Sequence, residues 1–163
     1  MGEKEGKIPN DRTKERKVVS RMFMSEYNHT IDEKGRVIVP AKYREQLGEK
    51  FTITIGMDGC LYIYTNEEIE SKAEALKQLP EGPETRLFQR EFLRNAVECE
   101  VDKQGRILIP NKLREHAALK KDVVFVGVIN KIELWSKEKL DALQGEDDFN
   151  DFSEQLAKYN IRF

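Results

Sequence analysis

Two arginines in this chain stand at the same place in the same phrase. Asp32-Glu33-Lys34-Gly35-Arg36 returns as Asp102-Lys103-Gln104-Gly105-Arg106, 70 residues further on. An arginine just past a tight turn presents a planar fork of N–H donors, and that fork matches O6 and N7 of guanine in the major groove of a duplex. Lys34 can donate to the same atoms or meet a phosphate, and Gln104 at the matching place can read adenine. Each good two-point contact of this kind discriminates by ~1–3 kcal/mol. A plainer reading is an Asp-x-x-x-Arg ion pair that only fixes a hairpin. The two readings are compatible, with the aspartates orienting the bend and Arg36 and Arg106 facing outward.

The turn chemistry is explicit in both copies. Asp32 and Asp102 can accept from the backbone N–H groups ahead of them. Gly35 and Gly105 can take a positive φ without a Cβ clash, as a type I turn with a bulge requires. The repeat continues past the turn. Over the fourteen positions from Asp32 and from Asp102, seven are identical and three more exchange Val, Ile and Leu. Pro40-Ala41-Lys42-Tyr43-Arg44 and Pro110-Asn111-Lys112-Leu113-Arg114 close the two stretches. A duplication of this kind is read before anything else, because it sets the architecture.

The elements that position the turns follow from period and punctuation. Tyr27 to Ile31 alternates and is rich in β-branched and aromatic residues, so it is predicted as a strand, with Arg36 to Val39 as its return. Pro40 ends that strand and opens a short helix to Leu47. Phe51 to Ile55 and Leu61 to Tyr64 form a second hairpin around Asp58-Gly59, and Thr65-Asn66-Glu67-Glu68 reads as a capping box for a helix carrying Ile69, Ala73 and Leu76 to about Leu79. The second unit repeats the order: Val97 to Val101, the Asp102 turn, Arg106 to Ile109, a helix from Pro110, then Val123 to Val128 and Ile132 to Trp135. A one-residue insertion near Ala117/Ala118 shifts the offset to 71, which matches Gly56 with Gly127, Ile63 with Leu134, Tyr64 with Trp135 and Thr65 with Ser136. Pro80-Glu81-Gly82-Pro83 breaks the chain before a helix from about Glu84 to Asn95. Phe149, Phe152, Leu156 and Tyr159 lie near helical spacing, a pattern of packing or subunit contact.

The expected organisation is therefore an N-terminal extension over 1–21, a first unit with its helix over 22–80, a linking helix over 81–96, a second unit over 97–145 and a C-terminal helix over 146–163. Residues 1–21 are polar, without period, and read as disordered. Each unit is too small to bury a core alone. Two such units can interleave about a pseudo-two-fold axis, which brings both turns to one side.

Charge supports a local, not a global, anionic partner. The whole chain is at −2, yet residues 32–44 carry +2 and residues 102–114 carry +3, against −3 from Ser136 onward. Local field steers a ligand. No stretch approaches the roughly 20 apolar residues of a membrane helix, and a membrane partner is not expected. Cys60 and Cys99 lie in separate strand-like stretches and read as core thiols of a reducing compartment. His29 and His116, the only histidines, have no counterpart in the other unit. Nothing matches a nucleophile elbow, a phosphate loop or a metal-ligand spacing. The sequence is read as a non-enzyme with no cofactor, no metal and no small-molecule substrate.

On these residues the chain resembles the MraZ family of bacterial transcriptional regulators, within the swapped-hairpin, AbrB-like superfamily. The resemblance runs from Met22-Phe23-Met24 almost to the C-terminus. It rests on Tyr27-Asn28-His29-Thr30-Ile31-Asp32-Glu33-Lys34-Gly35-Arg36, on Glu98-Cys99-Glu100-Val101-Asp102-Lys103-Gln104-Gly105-Arg106, and on Gly127-Val128-Ile129-Asn130-Lys131-Ile132-Glu133-Leu134-Trp135. It implies an α+β fold of two tandem swapped-hairpin β-α-β-β units forming an intertwined barrel with flanking helices. It implies a cytoplasmic, nucleoid-associated protein that assembles into closed homo-oligomeric rings and binds double-stranded DNA at G-rich direct repeats, in the promoter of the division and cell-wall gene cluster. Carried over by position, the DNA-binding residues are Asp32, Lys34, Gly35 and Arg36, then Asp102, Gly105 and Arg106, with Gln104 standing where the first turn has Lys34. Two rival functions share the superfamily or the assembly: an antitoxin, which usually has one motif and a toxin-binding tail, and a ring-forming protein-interaction scaffold.

Overall fold

The computed structural model describes residues 22–143 and 145–162. The extension read from residues 1–21 lies outside them. The first unit runs β1 (Glu26–Thr30), β2 (Arg36–Ile38), α1 (Ala41–Leu47), β3 (Lys50–Ile55), a 3₁₀ turn (Met57–Gly59), β4 (Leu61–Thr65) and α2 (Asn66–Lys77). Helix α3 (Pro83–Arg94) leads to β5 (Val97–Glu100), β6 (Arg106–Leu108), α4 (Asn111–Ala117), β7 (Asp122–Gly127), β8 (Ile132–Ser136), α5 (Lys137–Leu143) and α6 (Glu146–Gln155), with a 3₁₀ turn over Leu156–Tyr159. The class is α+β with antiparallel pairing throughout the ladders. Each unit is β-β-α-β-β, the order the strand reading predicts and one strand more than the β-α-β-β implied by the resemblance, because the residues on both sides of the Asp–Gly turn are strand.

The units share strands. A six-stranded sheet has the order β1-β7-β8-β4-β3-β5, and β2 pairs with β6 in a separate two-stranded ladder, with one bridge from Val37 back to Ile31. First-unit β1 lies on second-unit β7, second-unit β5 lies on first-unit β3, and β4 meets β8 at the centre. An edge strand left unpaired exposes a row of N–H and C=O groups. Here each unit's leading strand is completed by the other unit's hairpin. The core is correspondingly common property: Val37, Val39, Tyr43, Phe51, Ile53 and Ile63 pack in one cluster with Ile107, Ile109, Leu113, Val123, Phe125 and Leu134.

Several local details differ from the sequence reading. The return strands stop one residue short of Val39 and Ile109, since the N–H groups of those residues turn to the opposite unit. Thr65 caps α2 by accepting from the Glu68 backbone N–H at 3.1 Å. The Glu68 carboxylate does not complete a box: it accepts from Asn130 of the second unit at 3.1 Å and meets Lys72 at 3.5 Å. The strand registers pair Phe51 with Thr65 and Val123 with Ser136, so β3 and β7 are offset by 72 and β4 and β8 by 71. Gly127 therefore answers Ile55 and not Gly56. Two residues are inserted around the α4 exit, where Ala118 adopts φ 52°, and the second hairpin loop is one residue shorter.

The trailing helices behave differently. Phe92 of α3 is buried, and the Thr54 hydroxyl in β3 donates to its carbonyl at 2.7 Å. On α6 and the turn after it, Phe149, Phe152 and Tyr159 stay exposed. Cys60 and Cys99 are buried, and burial pushes their thiols up to about 12 and about 11.

A shared core should melt as one. Ile53→Ala, in the first unit and fully buried, should cost about 2–5 kcal/mol. The midpoint followed by fluorescence of Trp135, in the second unit, should fall together with that followed by circular dichroism. Separate transitions would contradict the shared core.

Candidate nucleic-acid interface

The two turns are built alike, atom for atom. In the first, the Asp32 N–H donates to the Arg36 carbonyl at 2.9 Å and the Gly35 N–H to the Asp32 carbonyl at 3.0 Å. Asp32 Oδ1 accepts from the Lys34 and Arg36 backbone N–H groups at 3.0 and 2.8 Å, and Oδ2 accepts from Arg36 Nε at 2.8 Å. In the second, Asp102 accepts from the backbone of Gln104 and Arg106 and from Arg106 Nε, each at 2.9 Å. Gly35 and Gly105 have φ of 88° and 79°.

Both carboxyls are held below the ordinary aspartate value. The largest cause is the backbone N–H of the arginine four residues on, with its side chain and the N–H two residues on adding to it against an opposing desolvation. The aspartates are thus committed to shaping the turn. The arginines are half-exposed, at 35% for Arg36 and 28% for Arg106. Their hydrogen bonds to the aspartates run through Nε, and among the described residues neither donates to another group through Nη1 or Nη2. Lys34 and Gln104 project at the exposed tips.

The β2–β6 ladder sets the turns against each other. It pairs Arg36 with Leu108, Val37 with Ile107 and Ile38 with Arg106. Cross-strand partners and residues two apart share a face. Val37 and Ile107 therefore point into the core, and Arg36, Ile38, Arg106 and Leu108 occupy the outer face. With strand partners about 5 Å apart and a rise of about 3.4 Å per residue, the two arginine Cα atoms stand roughly 8 Å apart on the diagonal.

Each turn is braced by the other unit. The Val39 N–H donates to the Gly105 carbonyl at 3.0 Å, and the Ile109 N–H to the Gly35 carbonyl at 2.8 Å. A Cβ on Gly35 would lie 2.7 Å from Arg114 Nε and 2.8 Å from the Ile109 carbonyl. A Cβ on Gly105 would collide with the Arg44 guanidinium. Arg114 Nε is itself bonded to the Ile109 carbonyl at 3.0 Å. Arg44 and Arg114, counted from sequence with the basic patches, are half-buried and serve as props. Lys42 and Lys112 remain exposed. Also missed from sequence were the outward Ile38 and Leu108, although a strict alternation against buried Val37 and Val39, and Ile107 and Ile109, would have put them outside.

No group of three or more His, Cys, Asp and Glu among the described residues is arranged to hold a metal, and none of their helices is long and apolar enough to cross a membrane. His29 is half-buried against the edge of Phe125, and burial lowers its pKa. The turn pair is the place where repeated charged side chains converge.

The fold and its paired turns define a duplicated α+β protein, and the comparisons with known proteins agree with the duplication. The family described as "MraZ protein, putative antitoxin-like" matches twice in tandem, over residues 22–91 and 92–162. Among similar chains, the transcriptional regulator MraZ of Lachnoclostridium phytofermentans is 53% identical over 142 residues, which is 87% of this chain and all of that one. The transcriptional regulator MraZ of Caldanaerobacter subterraneus is 53% identical over 143 residues, and that of Ligilactobacillus salivarius 51%, each spanning 86% of this chain and the whole relative. The chain belongs to the MraZ family.

Two outcomes test the turn. Gly35→Ala should lose about 1–3 kcal/mol in chemical denaturation, from the positive φ and the crowding against Ile109 and Arg114. A lowered folded pKa means that the aspartates stabilise fully above the ordinary aspartate range, and that this contribution is lost as pH falls through the lowered value. The stability gap between wild type and Asp32→Asn/Asp102→Asn should therefore close on acidification, with the carboxyl carbons titrating below free aspartate in NMR.

Proposed function

We propose that the protein is a sequence-specific DNA-binding regulator of transcription whose β2–β6 ribbon enters the major groove and reads guanines with Arg36 and Arg106. The carrying observation is the common outer face of the ribbon. Two arginines, each aimed by the aspartate that also shapes its turn, have Cα atoms roughly 8 Å apart on a two-stranded element that fits the groove. Lys34, and Gln104 less directly, extend the contact from the tips. Asp32, Gly35, Asp102 and Gly105 belong to the interface by shaping it. Relatives bearing the name of transcriptional regulator over their whole length support this reading.

The finer parts of the proposal follow. The interleaved strands correspond to two swapped-hairpin units of an AbrB-like barrel, divided near residues 80 and 97. The sites are G-rich direct repeats in the promoter of the division and cell-wall gene cluster, and the protein works in the cytoplasm at the nucleoid. One chain offers a single pair of turns, a weak grip, so several chains act together as a closed homo-oligomer. The exposed Phe149, Phe152 and Tyr159 and the apolar cleft of about 430 Å³ between α2, α3 and the sheet, lined by Tyr62, Leu76, Leu79 and Phe88, are two different surfaces, as a head-to-tail ring requires.

Binding to a duplex carrying the repeats upstream of the protein's own gene tests the reading. Arg36→Ala should raise Kd by the equivalent of ~1–3 kcal/mol per turn with an unchanged melting midpoint, since Asp32 keeps its two backbone donors. Affinity should fall steeply with salt, by about 10³–10⁵ between 50 and 200 mM if 6–10 phosphates are engaged. A flat salt titration or an inert Arg36→Ala would defeat the proposal. Phe149→Glu/Phe152→Glu should reduce the particle mass seen in light scattering and weaken DNA binding together.

A further inference from the structure

The outer face of the ribbon has four positions, and arginine takes two. The others are Ile38 and Leu108, which are 44% and 58% exposed. Each lies directly across the ladder from the arginine of the other unit, Ile38 from Arg106 and Leu108 from Arg36. Neither belongs to the core, because Val37, Val39, Ile107 and Ile109 already fill the inner side. An antiparallel ribbon with one wet face normally puts polar residues there. Both copies of the repeat instead place a branched aliphatic residue two positions beyond the arginine.

Something with apolar spots beside hydrogen-bond acceptors would cover such a face. The floor of the major groove is that surface. Guanine offers N7 and O6, and thymine offers a C5 methyl group at the same depth. The spacing agrees: residues two apart on a strand are separated by about 6.7 Å, roughly two base steps of 3.4 Å. With an arginine on guanine, the aliphatic residue beside it comes to rest within a base pair or two.

We propose that Ile38 and Leu108 are specificity residues that recognise the methyl group of thymine next to the guanines contacted by Arg106 and Arg36. The inference rests on the ribbon being the DNA-facing surface. It adds that the site is read by methyl groups as well as by acceptors, and that the protein discriminates thymine from uracil.

Replacing thymine by deoxyuridine removes the methyl and keeps the base pair. The duplex bound most tightly by the full chain is first selected from a random library, then remade with each thymine replaced in turn. Wild type should lose about four-fold in affinity for a thymine that flanks a guanine, the effect of one buried methyl-sized group. Ile38→Ser/Leu108→Ser should bind the two duplexes equally, and Ile38→Val/Leu108→Val should keep the preference. Melting curves report on folding, which these exposed changes should leave alone. A selected site without thymine beside guanine, indifference of wild type to every replacement, or undiminished discrimination in the serine variant would overturn the inference and leave DNA binding intact. Failure to select any duplex would overturn the DNA reading itself.

Discussion

Three residues of β2 lie against three of β6, and the arrangement of the outer surface depends on that short ladder. It is the contact by which Arg36 and Arg106 share a face, and its inner pair, Val37 with Ile107, ties the turns to the core. A ladder so short is weak alone. It persists because both its ends are fastened by hydrogen bonds from Val39 and Ile109 to the opposite glycine carbonyls. The strands on either side are fastened in turn, β1 to β7 and β5 to β3. The two turns are thereby set on a framework whose every leading strand is paired across the repeat.

The aspartates illustrate how little freedom remains in each turn. One carboxylate receives three hydrogen bonds from residues two and four ahead. This fixes the backbone path and also the direction in which the arginine leaves it. Side-chain entropy is lost on folding, before any ligand arrives, so less is lost on binding. The structural ion pair and the proposed binding role are compatible: Nε serves the first, and the Nη atoms are left for the second.

Local pattern made much of this legible. The turns, the short helices after Pro40 and Pro110, and the Asp58-Gly59 hairpin each have a chemical marker within four residues, and the 70-residue repeat doubled the markers of the turns and of the short helices. What local pattern does not contain is partner choice. That β3 takes β5 and β7 takes β1 is decided by burial at a distance. The residue-by-residue match failed where two units differ in loop length, so that Gly127 aligned with Gly56 in sequence and with Ile55 in register. Arg44 and Arg114 looked like surface charge because composition cannot tell a guanidinium in solvent from one propping a glycine. Nothing in the sequence singled out the aliphatic Ile38 and Leu108, because the return strand is apolar on both faces.

The crossed props have a genetic corollary. Arg44 supports the bend of the second half, and Arg114 that of the first. A lesion in either short helix should therefore disturb the bend of the other half, so a map of damage along the gene would be transposed relative to a map of distorted turns. For the same reason the halves cannot drift apart in evolution as free modules do: each carries part of its sibling's hand.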